Sequence, residues 1–362
     1  MEQLTNSIAS SNEVSVKPDK EEKKSIRRKY LKVGFVIIFN MAMFNIISMV
    51  IIYLIGGIYG GDLSSFSAIT KGTAKLLSNS DISVIMSCLI PIISESLSIF
   101  LGCKLLKLDL RSLFNRDGYT GGTVCKVTTI GLGIQTAASL VAQIIAMILA
   151  KFGLESSTAD LSVGNSSAWS VIPLYLYACL LGPLLEELLY RGVLLQGLRK
   201  YNERFAIVIS ALIFGLMHQN YQQFIFAFSL GLILGAITLK SESIIPSLVT
   251  HIIANTTGVL IDLAMQCADY EAYEKVATGS LDFTSSSIGF AVTLALNALF
   301  RYGFLILGGI FLIIALVKKG NVRKPTPAGK SRGWPILAQS WIWYIIFIGY
   351  IYLAFIEPIH KI

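Results

Sequence analysis

Long apolar runs separated by short polar and basic segments form the main pattern of this 362-residue chain. Several runs reach the ~20 residues that an α-helix needs to cross the hydrocarbon core of a bilayer. The pattern predicts an all-α fold, a polytopic integral membrane bundle of about eight or nine transmembrane helices. The runs cover residues 33–56, 82–103, 123–150, 169–190, 205–218, 223–239, 244–266, 288–317 and 336–356.

The composition agrees with a membrane protein. Hydrophobic residues make up 54% of the chain and charged residues only 14%, whereas a typical soluble domain has about 25% charged residues. A soluble fold of this length cannot enclose so much apolar surface. The net charge of +8 does not predict nucleic-acid binding, because the basic residues occupy short segments between the apolar runs. Membrane lipid is the expected surrounding, and no nucleic-acid partner is expected.

The distribution of Lys and Arg predicts the orientation of the chain. Basic residues accumulate in segments that alternating spans place on one side of the membrane, and such segments face the cytoplasm. We therefore expect a multi-pass protein of the cell membrane with its N-terminus in the cytoplasm. The main basic segments are 17–32, 104–116, 199–204 and 318–332.

The chain divides into four regions by composition. Residues 1–30 are polar, charged and poor in aromatic residues, which predicts a disordered cytoplasmic tail. Residues 31–165 and 268–362 hold the predicted N-terminal and C-terminal transmembrane helices. Residues 166–267 form a central region, in which apolar runs carry most of the unusual polar side chains.

Two adjacent carboxylates, Glu186 and Glu187, lie at the end of an apolar run, with Arg191 close behind them. Ionisable residues are costly in membrane segments, and they are usually functional there. Glu187 and Arg191 have the i,i+4 spacing at which an acid and a base meet on one helix face. Glu186 is rotated from Arg191 by about 140°. We therefore expect Arg191 to neutralise Glu187, and Glu186 to be the less compensated carboxylate, as suits a general base.

Three further polar residues follow on the next apolar runs. His218 ends one run, and His251 and Asn255 share a helix face at i,i+4 spacing. An imidazole and an amide side by side can donate hydrogen bonds to one developing oxyanion. At about 1.5 Å per residue, Glu187 and His218 lie roughly 22–24 Å from the turn between their spans. The polar residues therefore share one depth in the membrane, which is compatible with a single site.

These residues form three motifs that resemble those of the CPBP intramembrane proteases, a group that contains the type II CAAX prenyl endopeptidases and the bacterial Abi proteins. The resemblance covers the central region, 166–267. Tyr190 departs mildly from the pattern, because phenylalanine is common at that position in the family. The motifs are Glu186-Glu187-x-x-x-Arg191, Phe214-x-x-x-His218 and His251-x-x-x-Asn255.

The resemblance implies hydrolysis of a peptide bond of a membrane-associated protein or peptide. It implies that Glu186 and His218 activate water, and that His251 and Asn255 hold the oxyanion. No cofactor is expected in this mechanism. A zinc-dependent mechanism is the alternative, because Glu186, His218 and His251 can supply three ligands and leave a fourth position open. Asn255 argues against zinc, since an amide is a poor zinc ligand.

Two other classes of function use the same residues. Buried Glu, Arg and His side chains can form a proton relay in a transporter, although the chain lacks the matching pairs of interrupted helices typical of transporters. A non-catalytic membrane partner, such as a bacteriocin-immunity factor, is the third interpretation. Convergence of the side chains on one cavity would favour the enzyme.

Three more ionisable residues lie in apolar runs: Glu95, Asp262 and Arg301. Structural pairing is the favoured interpretation for all of them. Asp262 and Arg301 are both predicted in the outer half of the membrane, where they can pair with each other.

Overall fold

A computed structural model of the protein describes residues 20–77, 80–156, 167–199, 202–266, 285–317, 333–356 and 359–361. Nearly all of this part of the chain is helical, which confirms the prediction of an all-α bundle. The helices are α1 (Lys20–Gly60), α2 (Phe66–Leu77), α3 (Ser80–Leu106), α4 (Gly121–Lys151), α5 (168–199), α6 (Glu203–Leu216), α7 (Tyr221–Ser241), α8 (Ile245–Gln266), α9 (Ser285–Val317), α10 (Gly333–Ala338) and α11 (341–356).

The nine predicted apolar runs all coincide with helices, and the last run is divided between α10 and α11. Within the described ranges, six helices are long and apolar enough to cross a membrane: α1, α3, α4, α5, α7 and α9. Two shorter apolar helices are Ile245–Ile261 within α8 and Trp341–Ile356. Helix α6 has 14 residues and is about 21 Å long, which is less than the ~30 Å hydrocarbon core. The fold is therefore that of a multi-pass helical membrane protein.

The beginning of α1 differs from the tail predicted over residues 1–30. Residues 1–19 lie outside the described part of the chain, but Lys20–Tyr30 is helical. Ile26 and Tyr30 are 1% and 0% exposed, and the ring of Tyr30 stacks on Phe205 of α6 at 5.5 Å. These two apolar side chains share a helix face at i,i+4 spacing. Their burial stabilises a helix that the polar composition of the segment did not predict.

Helix α5 runs through the main core of the bundle. Leu189 and Leu194 on α5 are fully buried, as is Ile209 on α6. Helices α1 and α11 cover the same core from the other side, where Trp343 is 1% exposed. Most side chains in the second half of α5 are therefore removed from both water and lipid, whereas Trp169, Ile172 and Leu176 in its first half are more than half exposed.

Two polar contacts fix the helices next to α5. Thr128 of α4 and Thr250 of α8 share a buried hydrogen bond of 3.1 Å. Near the ends of α5 and α7, Arg199 forms two hydrogen bonds of 2.7 Å to the carboxylate of Glu242. Glu242 has a left-handed backbone conformation, with φ of 49°, and ends α7.

A short pair of strands was not predicted. Leu154–Ser156 pairs antiparallel with Ile359–Lys361. The pair connects the segment after α4 to the last residues of the chain and lies outside the helical core.

Candidate active site

Helix α5 is irregular where the acidic residues lie. Tyr177–Leu181 and Glu187–Leu195 have π-helical turns, a distortion that is frequent at functional sites. The backbone N–H of Gly182 donates to Tyr177 O, an i→i+5 bond. In the same pattern Ala178 O would face the nitrogen of Pro183, which has no hydrogen to donate.

Asn255 of α8 supplies the missing donor. Its Nδ2 donates to Ala178 O at 3.1 Å. Asn255 therefore joins α8 to the distorted turn that precedes the two glutamates. An amide nitrogen carries two hydrogens, so one N–H remains for an oxyanion, the role that the family resemblance implies for this residue.

Glu187 and Arg191 form the ion pair expected from their spacing. Arg191 Nη1 lies 2.9 Å from Glu187 Oε1, and both side chains are 0% exposed. The guanidinium carbon of Arg191 also lies 4.4 Å from the ring centroid of Phe214 on α6. The pair thus lies in the packed interior, between α5 and α6.

His251 contacts both carboxylates. Its Nδ1 lies 3.1 Å from Glu187 Oε1, and its Nε2 lies 3.4 Å from Glu186 Oε2. The imidazole is only 2% exposed. This ring brings the third motif directly onto the first, although His251 and Glu187 are separated by 64 positions in sequence.

Glu186 is the more accessible of the two acids. Its side chain is 14% exposed, against 0% for Glu187. Glu186 Oε2 makes no hydrogen bond within the described part of the protein, since its contact with His251 is long. Arg191 pairs with Glu187 and not with Glu186. These observations agree with the expectation that Glu186 is the less compensated carboxylate.

His218 is held by its own motif. Its Nδ1 lies 2.9 Å from Phe214 O, one of the carbonyls that the end of α6 leaves without a helical partner. The ring of Phe214 makes T-shaped contacts with both imidazoles, at 5.2 Å to His218 and 5.5 Å to His251 between ring centroids. Phe214 therefore packs against both histidines.

The described hydrogen bonds and ion pairs do not join His218 to Glu186. The sequence-based expectation was that these two residues activate water together. Of the two histidines, His251 is the one that the structure places against Glu186, because α8 packs beside the distorted part of α5. His218 reaches the site through its contact with Phe214, and its Nε2 is the ring nitrogen not used for that anchoring.

The sequence analysis did not assign Glu95 to the site. This residue of α3 is 1% exposed, and its Oε2 makes no hydrogen bond to any described residue. The structural ion pair predicted for it is absent among the described residues. Helix α3 packs against α5, the helix that carries Glu186. The position of Glu95 in an apolar run was the only indication that the sequence offered.

The three residues considered as zinc ligands do not form a ligand set in this arrangement. No group of three His, Cys, Asp or Glu side chains in the described ranges has the geometry to hold a metal ion. The two ring nitrogens of His251 both face carboxylates. Nδ1 of His218 faces a backbone carbonyl. Binding of zinc by Glu186, His218 and His251 would require these contacts to be rearranged.

Comparison with known proteins finds a family match within the central region. The family model described as "Type II CAAX prenyl endopeptidase Rce1-like" matches residues 168–257, which contain all three motifs. A search of curated proteins and a search of solved structures gave no match. The match confirms the resemblance to the CAAX-type, or CPBP, family drawn from the motifs. It favours a protease-type fold over the transporter.

Proposed function

We propose that the type II CAAX prenyl endopeptidase Rce1-like domain of this chain is an intramembrane endopeptidase that hydrolyses a peptide bond of a membrane-associated protein or peptide. The observation that carries this proposal is the contact of His251 with both Glu186 and Glu187. This contact supports the proposal because it groups two carboxylates and an imidazole in one buried cluster, in which Glu186 is the proposed general base. The family match supplies the reaction class, and this cluster supplies groups able to perform it.

Glu186 is the proposed general base. Its Oε2 has no hydrogen-bond donor among the described residues, so it has capacity to accept a hydrogen bond from water. Oε2 itself is buried, and the exposed 14% of the Glu186 side chain is the route by which water would reach that oxygen. In the first step Glu186 takes a proton from this water, and the water oxygen attacks the carbonyl carbon of the substrate.

Glu187 and Arg191 support the reaction without taking part in proton transfer. Arg191 balances the charge of Glu187, and Glu187 in turn holds Nδ1 of His251. This chain of contacts fixes the ring plane of His251. It also directs Nε2 towards Glu186, where the reacting atoms would lie.

The oxyanion requires hydrogen-bond donors that point at one place. The second N–H of Asn255 is one proposed donor. Nε2–H of His251 is the other, and this role requires the doubly protonated ring, because Nδ1–H already donates to Glu187. His218 is proposed to hold the attacking water from the side opposite Glu186. Glu186 then passes its proton to the leaving amine, and the peptide bond breaks.

Glu186→Gln tests this proposal, because it keeps the shape of the side chain and removes the base. Purified protein in detergent should be assayed on a farnesylated peptide and on an unprenylated transmembrane peptide. Cleavage should fall by at least ~10²-fold, the usual contribution of a general base. Glu203→Gln is the matched control, because Glu203 is 37% exposed and lies at the start of α6. Undiminished cleavage by Glu186→Gln protein would exclude Glu186 as the base.

A further inference from the structure

A second polar region lies between α4, α8 and α9, apart from the cluster around His251. Two adjoining cavities open there, and the larger has a volume of about 350 Å³. Several polar side chains line it, although all three helices are largely apolar. The residues shared by the two cavities are Thr136, Ser139, Ile261 and Arg301.

Arg301 is the cation of this region. Among the described residues no carboxylate forms an ion pair with it. The pairing with Asp262 stays a prediction, because the side chain of Asp262 lies outside the described part of the chain. A cation inside a membrane helix costs several kcal/mol unless an anion or water compensates it. The cavity gives Arg301 access to such an anion.

The side chains next to Arg301 add hydrogen-bond acceptors to the cavity. Asn297 lies one turn before Arg301 and lines the same cavity. Its Oδ1 is buried and has no hydrogen-bond partner among the described residues. Thr136 and Ser139 donate their hydroxyl hydrogens to carbonyls of α4, so their oxygens remain acceptors on the cavity side. A ligand that fits here carries a negative charge for Arg301 and a hydroxyl donor for Asn297.

The rim of the cavity is apolar and faces outward. On α9, Phe300 and Tyr302 line the cavities, and they are 41% and 49% exposed. Leu296 and Leu299 are 61% and 72% exposed beside them. Such a surface on a membrane helix is one that acyl chains cover. The ligand is therefore an amphiphile, with its polar group in the cavity and its hydrocarbon along α9.

The depth of Arg301 favours a ligand that enters from one leaflet. The apolar span of α9 runs from Ala291 to Val317, so Arg301 lies roughly 15 Å from the first end and roughly 24 Å from the second. The leaflet at the Ala291 end is therefore the nearer one. A phosphate group from that leaflet meets the guanidinium through the cavity, because the long arginine side chain can extend towards the boundary.

We infer that the cavity between α4, α8 and α9 binds the headgroup of an anionic phospholipid that carries hydroxyl groups, of which phosphatidylglycerol is the example used below. Arg301 pairs with the phosphate, and Asn297 accepts a hydrogen bond from a headgroup hydroxyl. The site shares α8 with the catalytic cluster. Thr257 and Gly258 line the smaller cavity and lie two and three residues after Asn255, so the bound lipid packs against the helix that positions His251.

The test measures lipid binding to the purified full-length chain by native mass spectrometry, together with its melting temperature in detergent. Phosphatidylglycerol should bind the wild-type protein and raise its melting temperature more than phosphatidylcholine does. Arg301→Gln should weaken phosphatidylglycerol binding by about tenfold or more, as expected for loss of a charge-assisted hydrogen bond. Arg28→Gln is the matched control, because Arg28 is an exposed basic residue of α1 and its loss should leave this binding intact.

A second variant keeps the test decisive if Arg301→Gln does not fold. Asn297→Asp places a carboxylate one turn from Arg301 and supplies an internal counter-ion. This variant should melt at least as high as the wild-type protein without lipid, and it should no longer respond to phosphatidylglycerol.

Four results would overturn the inference. The first is that Arg301→Gln or Asn297→Asp binds phosphatidylglycerol as strongly as the wild-type protein does. The second and third are that the wild-type protein binds phosphatidylcholine as strongly as phosphatidylglycerol, or that free glycerol phosphate raises its melting temperature as much as phosphatidylglycerol does. The fourth is that Asp262→Asn binds phosphatidylglycerol more strongly than the wild-type protein does. Equal protection by glycerol phosphate would mean that the ligand is a soluble phosphate. Stronger binding by Asp262→Asn would identify Asp262 as the counter-ion of Arg301.

Discussion

His251 Nδ1 lies 3.1 Å from Glu187 Oε1, and this contact ties α8 to the buried ion pair on α5. Glu187 thus serves two partners, because the same oxygen is 2.9 Å from Arg191 Nη1. The arrangement makes the ion pair part of the support for the catalytic ring. Changes to Arg191 should therefore affect both stability and activity.

Arg191→Ala should lower the melting temperature strongly and abolish cleavage. The change leaves Glu187 as an unpaired buried charge, at a cost of roughly 3–5 kcal/mol, and removes the contact with Phe214. Thermal unfolding in detergent measures the effect. Arg204→Ala is the control, because Arg204 is an exposed basic residue near the start of α6, and such surface charges contribute at most about 1 kcal/mol.

Replacing both members of the pair separates its two roles. In a Glu187→Leu, Arg191→Met double variant, apolar packing should recover much of the lost stability. Activity should not return, because His251 has lost the carboxylate that holds its Nδ1. The pair is not a structural support if the Arg191→Ala and Arg204→Ala proteins melt at the same temperature.

Local geometry made part of this site predictable from the sequence. The Glu187–Arg191 pair follows from the period of the helix, and the apolar runs gave the helices directly. The start of α1 was missed because charged residues dominate residues 20–30, while only Ile26 and Tyr30 are buried there. The composition averages over all residues of the segment, whereas the helix is stabilised by the burial of the one face that carries Ile26 and Tyr30.

The long-range contacts were not predictable in detail. Which histidine meets Glu186 depends on how α6 and α8 pack against α5, and the sequence gives only their depth. The bond from Asn255 to Ala178 O depends on the π-helical turn before Pro183. Helical periodicity does not predict such a turn, so the hydrogen bond that anchors Asn255 could be found only in the structure.

Asn255→Ala should reduce stability as well as activity. The change leaves Ala178 O without a donor in an apolar setting, at a cost of about 1–3 kcal/mol, and it removes a proposed oxyanion donor. Adding Pro183→Ala restores a backbone N–H that can bond to Ala178 O. The loss of melting temperature caused by Asn255→Ala should therefore be smaller in the Pro183→Ala background than in the wild-type protein. The double variant should remain inactive. If Asn255→Ala alone leaves the melting temperature unchanged, the bond to Ala178 O contributes nothing to stability.

Tyr30→Ala should destabilise the protein, although Tyr30 lies in a segment of tail-like composition. Its ring is 0% exposed and stacks on Phe205, and removal of a buried aromatic ring costs about 3–5 kcal/mol. Lys24→Ala is the control, since Lys24 is exposed on the same helix. Equal melting temperatures for the two variants would show that the segment before Tyr30 is not packed on α6.

Metal analysis of the purified protein tests whether Glu186, His218 and His251, the three candidate ligands, bind zinc. Both ring nitrogens of His251 face carboxylates, and Nδ1 of His218 faces Phe214 O. Asn255 offers N–H donors, which suit an oxyanion better than a zinc ion. Active, detergent-solubilised protein should therefore contain well below one metal ion per chain and keep its activity after dialysis against a strong chelator. A zinc enzyme would hold about one ion per chain, lose cleavage on dialysis and regain it when zinc is added. That second pattern would replace the proposed glutamate mechanism with a metal-dependent one and leave the assignment as a protease intact.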